Sequence, residues 1–176
     1  MEYKNIKFEA IVATPACGKS YLCDKYPNTF VDVDEERLKC KYFIPENITR
    51  KELEETKGNR LFARRTKDYR KTLCQKLDTY LKQGKILIAA PHEESINYLI
   101  ERGIKFCFVF PNIKMQKEIE RRMIDRGNPS SFSKENSDLF FKFYESNLNE
   151  SRAAVKYEFG ENEYLEDILK KFNCKF

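Results

Sequence analysis

Short apolar runs alternate with longer stretches of helical periodicity along most of the chain. Phe8 to Ala13 reads as a first strand, followed by a Gly-containing loop and a helix to about Tyr26. Thr29 to Val33 reads as a second strand. A long charged helical region is predicted from about Thr49 to Gln83, with Thr49 and Glu52 as a capping box and Gly58-Asn59 as a break. Ile86 to Ala90 is apolar on both faces, as a buried parallel strand should be. A helix from about Glu93 to Glu101 ends at Gly103. Lys105 to Phe110 forms a fourth strand stopped by Pro111, and a helix covers roughly Lys114 to Asp125. Asn128 to Ser137 reads as a polar, mobile segment leading into a helix that ends near Asn149. Val155 to Phe159 is the last strand, and Glu163 to Phe172 a closing helix.

Five strands interleaved with helices predict an α/β domain, with a mostly parallel sheet covered on both faces. Right-handed crossovers gather the strand-to-helix loops at the carboxyl edge of that sheet, where ligands bind. No repeat or low-complexity linker divides the 176 residues, so one domain is expected.

The loop after the first strand changes the picture. Ala13-Thr14-Pro15-Ala16-Cys17-Gly18-Lys19-Ser20 follows the phosphate-loop pattern, with Ala13 where the first Gly usually stands. Backbone N–H groups of Ala16, Cys17, Gly18, Lys19, Ser20 and Tyr21 can form an anion nest at a helix start. Lys19 is placed to reach β- and γ-phosphates, and the Ser20 hydroxyl to hold Mg²⁺. Missing glycine at Ala13 predicts restricted backbone freedom at the loop entrance.

Asp32 and Asp34 end the second strand. Residues two apart on a strand share a face, so both carboxylates are expected at one edge, Asp32 for Mg²⁺ and Asp34 for the acceptor oxygen. The competing reading makes Asp34 the N-cap of a helix beginning Glu35-Glu36-Arg37. Arg122 and Arg126 share a helix face before Gly127-Asn128-Pro129 and can stabilise charge in phosphoryl transfer. Arg37, Arg60 and Arg64 are candidates for an acceptor's anionic group, although Arg60 and Arg64 read equally well as solvated helix surface. His92 reads as structural, and no acid follows the third strand until Glu93.

The loop, the second strand and the run FVDVDEERLK resemble the P-loop small-molecule kinases, among them adenylate, shikimate and gluconate kinases. With IERRMIDRGN added, the overall resemblance is strongest to phage-type deoxynucleoside monophosphate kinases. This resemblance implies a sheet ordered 2-3-1-4-5, ATP and Mg²⁺ as cofactors, a helical acceptor-binding insert at about 36–83 and a lid at about 114–137. It also implies that the first acid of the pair serves Mg²⁺, that the second touches the acceptor, and that the lid arginines clamp ATP phosphates. The expected reaction is transfer from ATP to a nucleoside or deoxynucleoside monophosphate. A hydroxyl acceptor (nucleoside, small metabolite or polynucleotide 5′ end) and a non-catalytic nucleotide-binding role stand as alternatives.

Composition narrows the partners further. The net charge of +5 comes from 33 basic and 28 acidic residues, a balance that suits a phosphate-rich small molecule and gives nucleic acid little support. No basic groove interleaved with aromatics is visible. Six cysteines without a CxxC pair read as buried apolar residues in a reducing compartment. With no stretch of eighteen apolar residues and no leader-like start, no membrane partner and a cytoplasmic location are expected.

Overall fold

The computed structural model describes residues 8–42, 44, 48, 49, 52, 68–142, 144 and 149–172. Its strands are β1 (Ala10–Ala13), β2 (Phe30–Asp32), β3 (Ile86–Ala89), β4 (Phe106–Pro111) and β5 (Val155–Phe159). The helices are α1 (Lys19–Lys25), α2 (Val33–Lys41), α3 (Tyr69–Lys82), α4 (Glu93–Glu101), α5 (Gln116–Asp125), α6 (Ser130–Lys142) and α7 (Leu165–Lys171).

The five strands form one parallel sheet in the order β2-β3-β1-β4-β5. Strands β1, β2 and β4 are buried along their whole length, and β3 along almost all of it. Parallel strands covered on both faces need such continuous apolar runs. Edge strand β5 instead alternates, burying Val155 and Phe159 and exposing Lys156 and Glu158. Phe106, Phe108, Ile11, Leu87 and Ile88 are almost wholly withdrawn from water. At about 1.5–3 kcal/mol for each large side chain, they are the main anchor of the layers. Phe108 and Phe110 stack at 5.4 Å on one face of β4.

Two expectations change. Asn128 to Ser137 is not an irregular segment, because α6 begins at Ser130. Buried Ser133 and Ser137 let α6 lie close against α5, and the Ser137 hydroxyl donates to the Gln116 carbonyl at 3.1 Å. The second strand also ends earlier than Val33, at Asp32, because that residue starts a helix. The capping box forms as expected: Thr49 N–H donates to the Glu52 carboxylate at 2.7 Å, and Glu52 N–H to the Thr49 hydroxyl at 3.3 Å. Gly58-Asn59 and the rest of 53–67 in the expected insert lie outside the described residues. No described helix is long and apolar enough to cross a membrane.

Candidate phosphoryl-transfer site

Parallel pairing brings the ends of β1, β2 and β3 to one edge, and the site is built there. Ala13 pairs with Val109 inside the sheet, so the position without its usual glycine needs only extended backbone. The unusual backbone lies deeper in the loop, at Ala16 with φ 60° and Gly18 with φ 96°. These left-handed residues turn the chain into α1, with Gly18 as its N-cap. Lys19 folds back across the loop, and its Nζ donates to the carbonyls of Ala13 at 2.8 Å and Thr14 at 2.9 Å. Cys17 is fully buried; burial pushes its thiol pKa up, with nearby Lys19 and Arg126 pulling the other way.

Helix α1 carries Ser20 across the sheet toward β2. The Ser20 hydroxyl donates to Asp32 Oδ2 at 3.3 Å, while Asp32 Oδ1 accepts the N–H groups of Asp34 at 3.1 Å and Glu35 at 3.2 Å. Asp32 is therefore the N-cap of α2, the place assigned to Asp34 in one reading of the sequence. Because Val33 and Asp34 are helical, the two carboxylates do not share a strand face. Asp34 sits in the first turn, where Oδ2 accepts the Ala90 N–H at 3.0 Å from the end of β3. Its buried Oδ1 makes no hydrogen bond, and Arg37 Nη2 stands 3.7 Å away. The Thr14 hydroxyl, 1% exposed, is likewise without a hydrogen bond.

The Ser20 hydroxyl and Asp32 Oδ2 fit a Mg²⁺ ion by chemistry and spacing. Both are hard oxygens, and their 3.3 Å separation is close to the roughly 2.9 Å between neighbouring ligands at the usual Mg²⁺ distance. No cluster of three or more His, Cys, Asp or Glu among the described residues offers a metal cage. Two protein oxygens with water and phosphate completing the shell is the usual mode for this cation.

On the other side of the loop, a cleft of about 720 Å³ is lined by Ala16, Gly18, Ser20 and Tyr21 together with Arg122 and Arg126. The structure thus brings the two sequence-predicted arginines to the phosphate loop. Arg122 is buried; its Nε donates to Glu118 at 2.8 Å and its Nη1 to the Glu163 carbonyl at 3.3 Å. Arg121 and then Arg122 hold the Glu118 carboxyl down to about 2. A second cavity of about 400 Å³ is lined by Arg37, Arg70 and Glu94 beside apolar Leu73, Leu87 and Tyr98. Arg60 and Arg64 lie outside the described residues.

Three further residues lie at the site: His92, which the sequence reading takes as structural, and Arg70 and Tyr164, which it does not single out. His92, at the start of α4, has Asp34, Arg37 and Lys19 for neighbours. Partial desolvation lowers its pKa, Asp34 opposes this, and Arg37 and Lys19 add to it. Arg70 was one charge among many in a helical run. Tyr164 lies in the loop after β5, beside Gly18 and under Arg122. Its signal was an aromatic at the carboxyl end of a strand, the edge where this architecture binds ligands.

No protein-family model and no curated protein matches this chain. Among solved structures it is similar to a gluconokinase from Sinorhizobium meliloti, at 16% identity over 94% of this chain and 90% of that one, with a TM-score of 0.43. It is also similar to a dephospho-CoA kinase from Campylobacter jejuni, at 15% identity over 97% and 94%, with a TM-score of 0.41. The functional reading therefore stands on the site's own residues.

Proposed function

We propose that the protein is an ATP-dependent P-loop kinase that transfers the terminal phosphoryl group to a small acceptor, a nucleoside or deoxynucleoside monophosphate. One observation carries this reading: Lys19, the Ser20–Asp32 oxygen pair and the Arg122–Arg126 face converge on a single helix-start anion nest. Phosphoryl transfer asks a protein for little else beyond positioning and charge.

In this reading the ATP phosphates lie on the loop N–H groups, and Lys19 exchanges its two carbonyl partners for β- and γ-oxygens. Ser20 and Asp32 would hold Mg²⁺, which when bound would neutralise phosphate charge. Arg122 and Arg126 face the transferring group from the opposite wall. The acceptor occupies the second cavity, its base against Tyr98 and the leucines and its phosphate near Arg37 and Arg70. Its phosphate oxygen is already ionised, so the O–P bond forms as the bond to the ADP oxygen breaks, and no base is required.

Asp34 favours a second reading, a hydroxyl acceptor. Its buried Oδ1 lacks a hydrogen-bond donor, and an acceptor O–H would supply one and then lose its proton to the carboxylate. The two readings separate in Asp34→Asn. A hydroxyl kinase loses at least about a hundredfold in kcat. A monophosphate kinase falls by less than about tenfold, since it needs Asp34 for position alone.

A further inference from the structure

The loop after β5 touches both halves of the donor cleft, and Tyr164 is where they meet. Its Cδ1 lies 3.6 Å from the point where a Gly18 Cβ would stand. The next residue fastens the contact, since Leu165 N–H donates to the Cys17 carbonyl at 2.8 Å. On the other side, the Arg122 guanidinium lies over the Tyr164 ring at 4.3 Å from its centroid, while the Glu163 carbonyl accepts from Arg122 Nη1. Three consecutive residues thus bind the phosphate loop and the buried arginine together.

Tyr164 is 44% exposed as a whole, so burial does not explain its placement. Nor does capping, because the N-cap role of Tyr164 uses its backbone N–H, which donates to Asp167 Oδ2 at 3.1 Å. A cation on an aromatic face is a directional contact that fixes the plane of the guanidinium. Without it, Arg122 is held by Glu118 and one long bond to a carbonyl.

We propose that Tyr164 is a positioning residue, whose ring fixes Arg122 beside the phosphate loop so that the guanidinium meets the terminal phosphate of the nucleoside triphosphate. The inference rests on the kinase reading for its donor and adds a residue to that site. Phosphate bound at Gly18 and Lys19 and the arginine that stabilises its transfer then share one rigid support. Small displacements of such a cation weaken transfer far more than they weaken ground-state binding.

The test is a double-mutant cycle on Tyr164→Ala, Arg122→Ala and the double variant, with Tyr164→Phe as the conservative control. Turnover is measured with Mg-ATP and whichever acceptor wild type uses, ATP affinity by calorimetry, and folding by thermal melts. Tyr164→Ala should lower kcat about tenfold or more with the ATP KM changed by less than about threefold. Tyr164→Phe should stay within about twofold of wild type, because the ring is kept. The double variant should be no slower than Arg122→Ala alone, since the ring acts through the arginine. Independent, multiplying losses, or a Phe variant as slow as the Ala variant, would overturn the proposal. A wild type that binds ATP but transfers to nothing overturns the kinase reading instead. The same cycle is then read on ATP affinity, where a Tyr164→Ala loss that persists without Arg122 refutes the coupling and one that vanishes upholds it.

Discussion

The Ser20 hydroxyl donates to Asp32 Oδ2 at 3.3 Å, joining the start of the first helix to the end of the second strand. One carboxylate thereby does two jobs, since its other oxygen caps α2 through Asp34 N–H and Glu35 N–H. The jobs separate chemically. Asparagine caps a helix about as well as aspartate, yet it is a much poorer Mg²⁺ ligand. Asp32→Asn should melt within about 0.5 kcal/mol of wild type while needing at least about tenfold more Mg²⁺ for half-maximal activity. Asp32→Ala should lose about 1 kcal/mol of stability as well. Melts and Mg²⁺ titrations on the two variants check both halves.

Gly18 is required by its backbone. An added Cβ would meet Tyr164 at 3.6 Å, an ordinary contact, but φ of 96° is strained for any residue with a side chain. Gly18→Ala should therefore cost about 1–2 kcal/mol and weaken ATP binding, read by melts and calorimetry. Unchanged stability would show that the loop relaxes to another conformation.

Most of the architecture was legible because it rests on one repeated rule. Apolar runs such as ILIA in β3 and FCFVF in β4 announce buried parallel strands, and the glycines and caps between them announce turns. Asp32 and Asp34 were harder. Period-two reasoning assumed that the strand continued, whereas the cap formed by Asp32 ends it one residue sooner and rotates Asp34 away. Ser130 to Ser137 looked irregular because it is polar, yet small hydroxyl residues are what let α6 pack against α5. Tyr164 could be placed at the right edge of the sheet, but a tertiary contact with Arg122 is not written in local sequence.

Acid should loosen the α1–α7 and α5 anchors. Glu166 is held down to about 2 chiefly by its hydrogen bond from Lys25, helped by Tyr26 and Lys170, and Glu118 to about 2 by Arg121 and Arg122. Because the folded values are depressed from 4.5, the stabilisation is complete above that pH and is lost as pH falls toward 2. Glu118→Gln/Glu166→Gln should melt lower than wild type at pH 6 and lose less of its Tm between pH 4.5 and 2. Parallel melting curves across that window would contradict the assignment.

The central claim is phosphoryl transfer from ATP at the Lys19 loop. Purified protein with Mg-ATP is incubated with a panel of nucleoside and deoxynucleoside monophosphates, nucleosides and a 5′-hydroxyl oligonucleotide, and ADP and product masses are read. The predicted result is conversion of one or two monophosphates to diphosphates, reduced by about three orders of magnitude or more in Lys19→Ala, with the variant still folded. ATP binding without transfer to any acceptor, or transfer that survives Lys19→Ala unchanged, would contradict it.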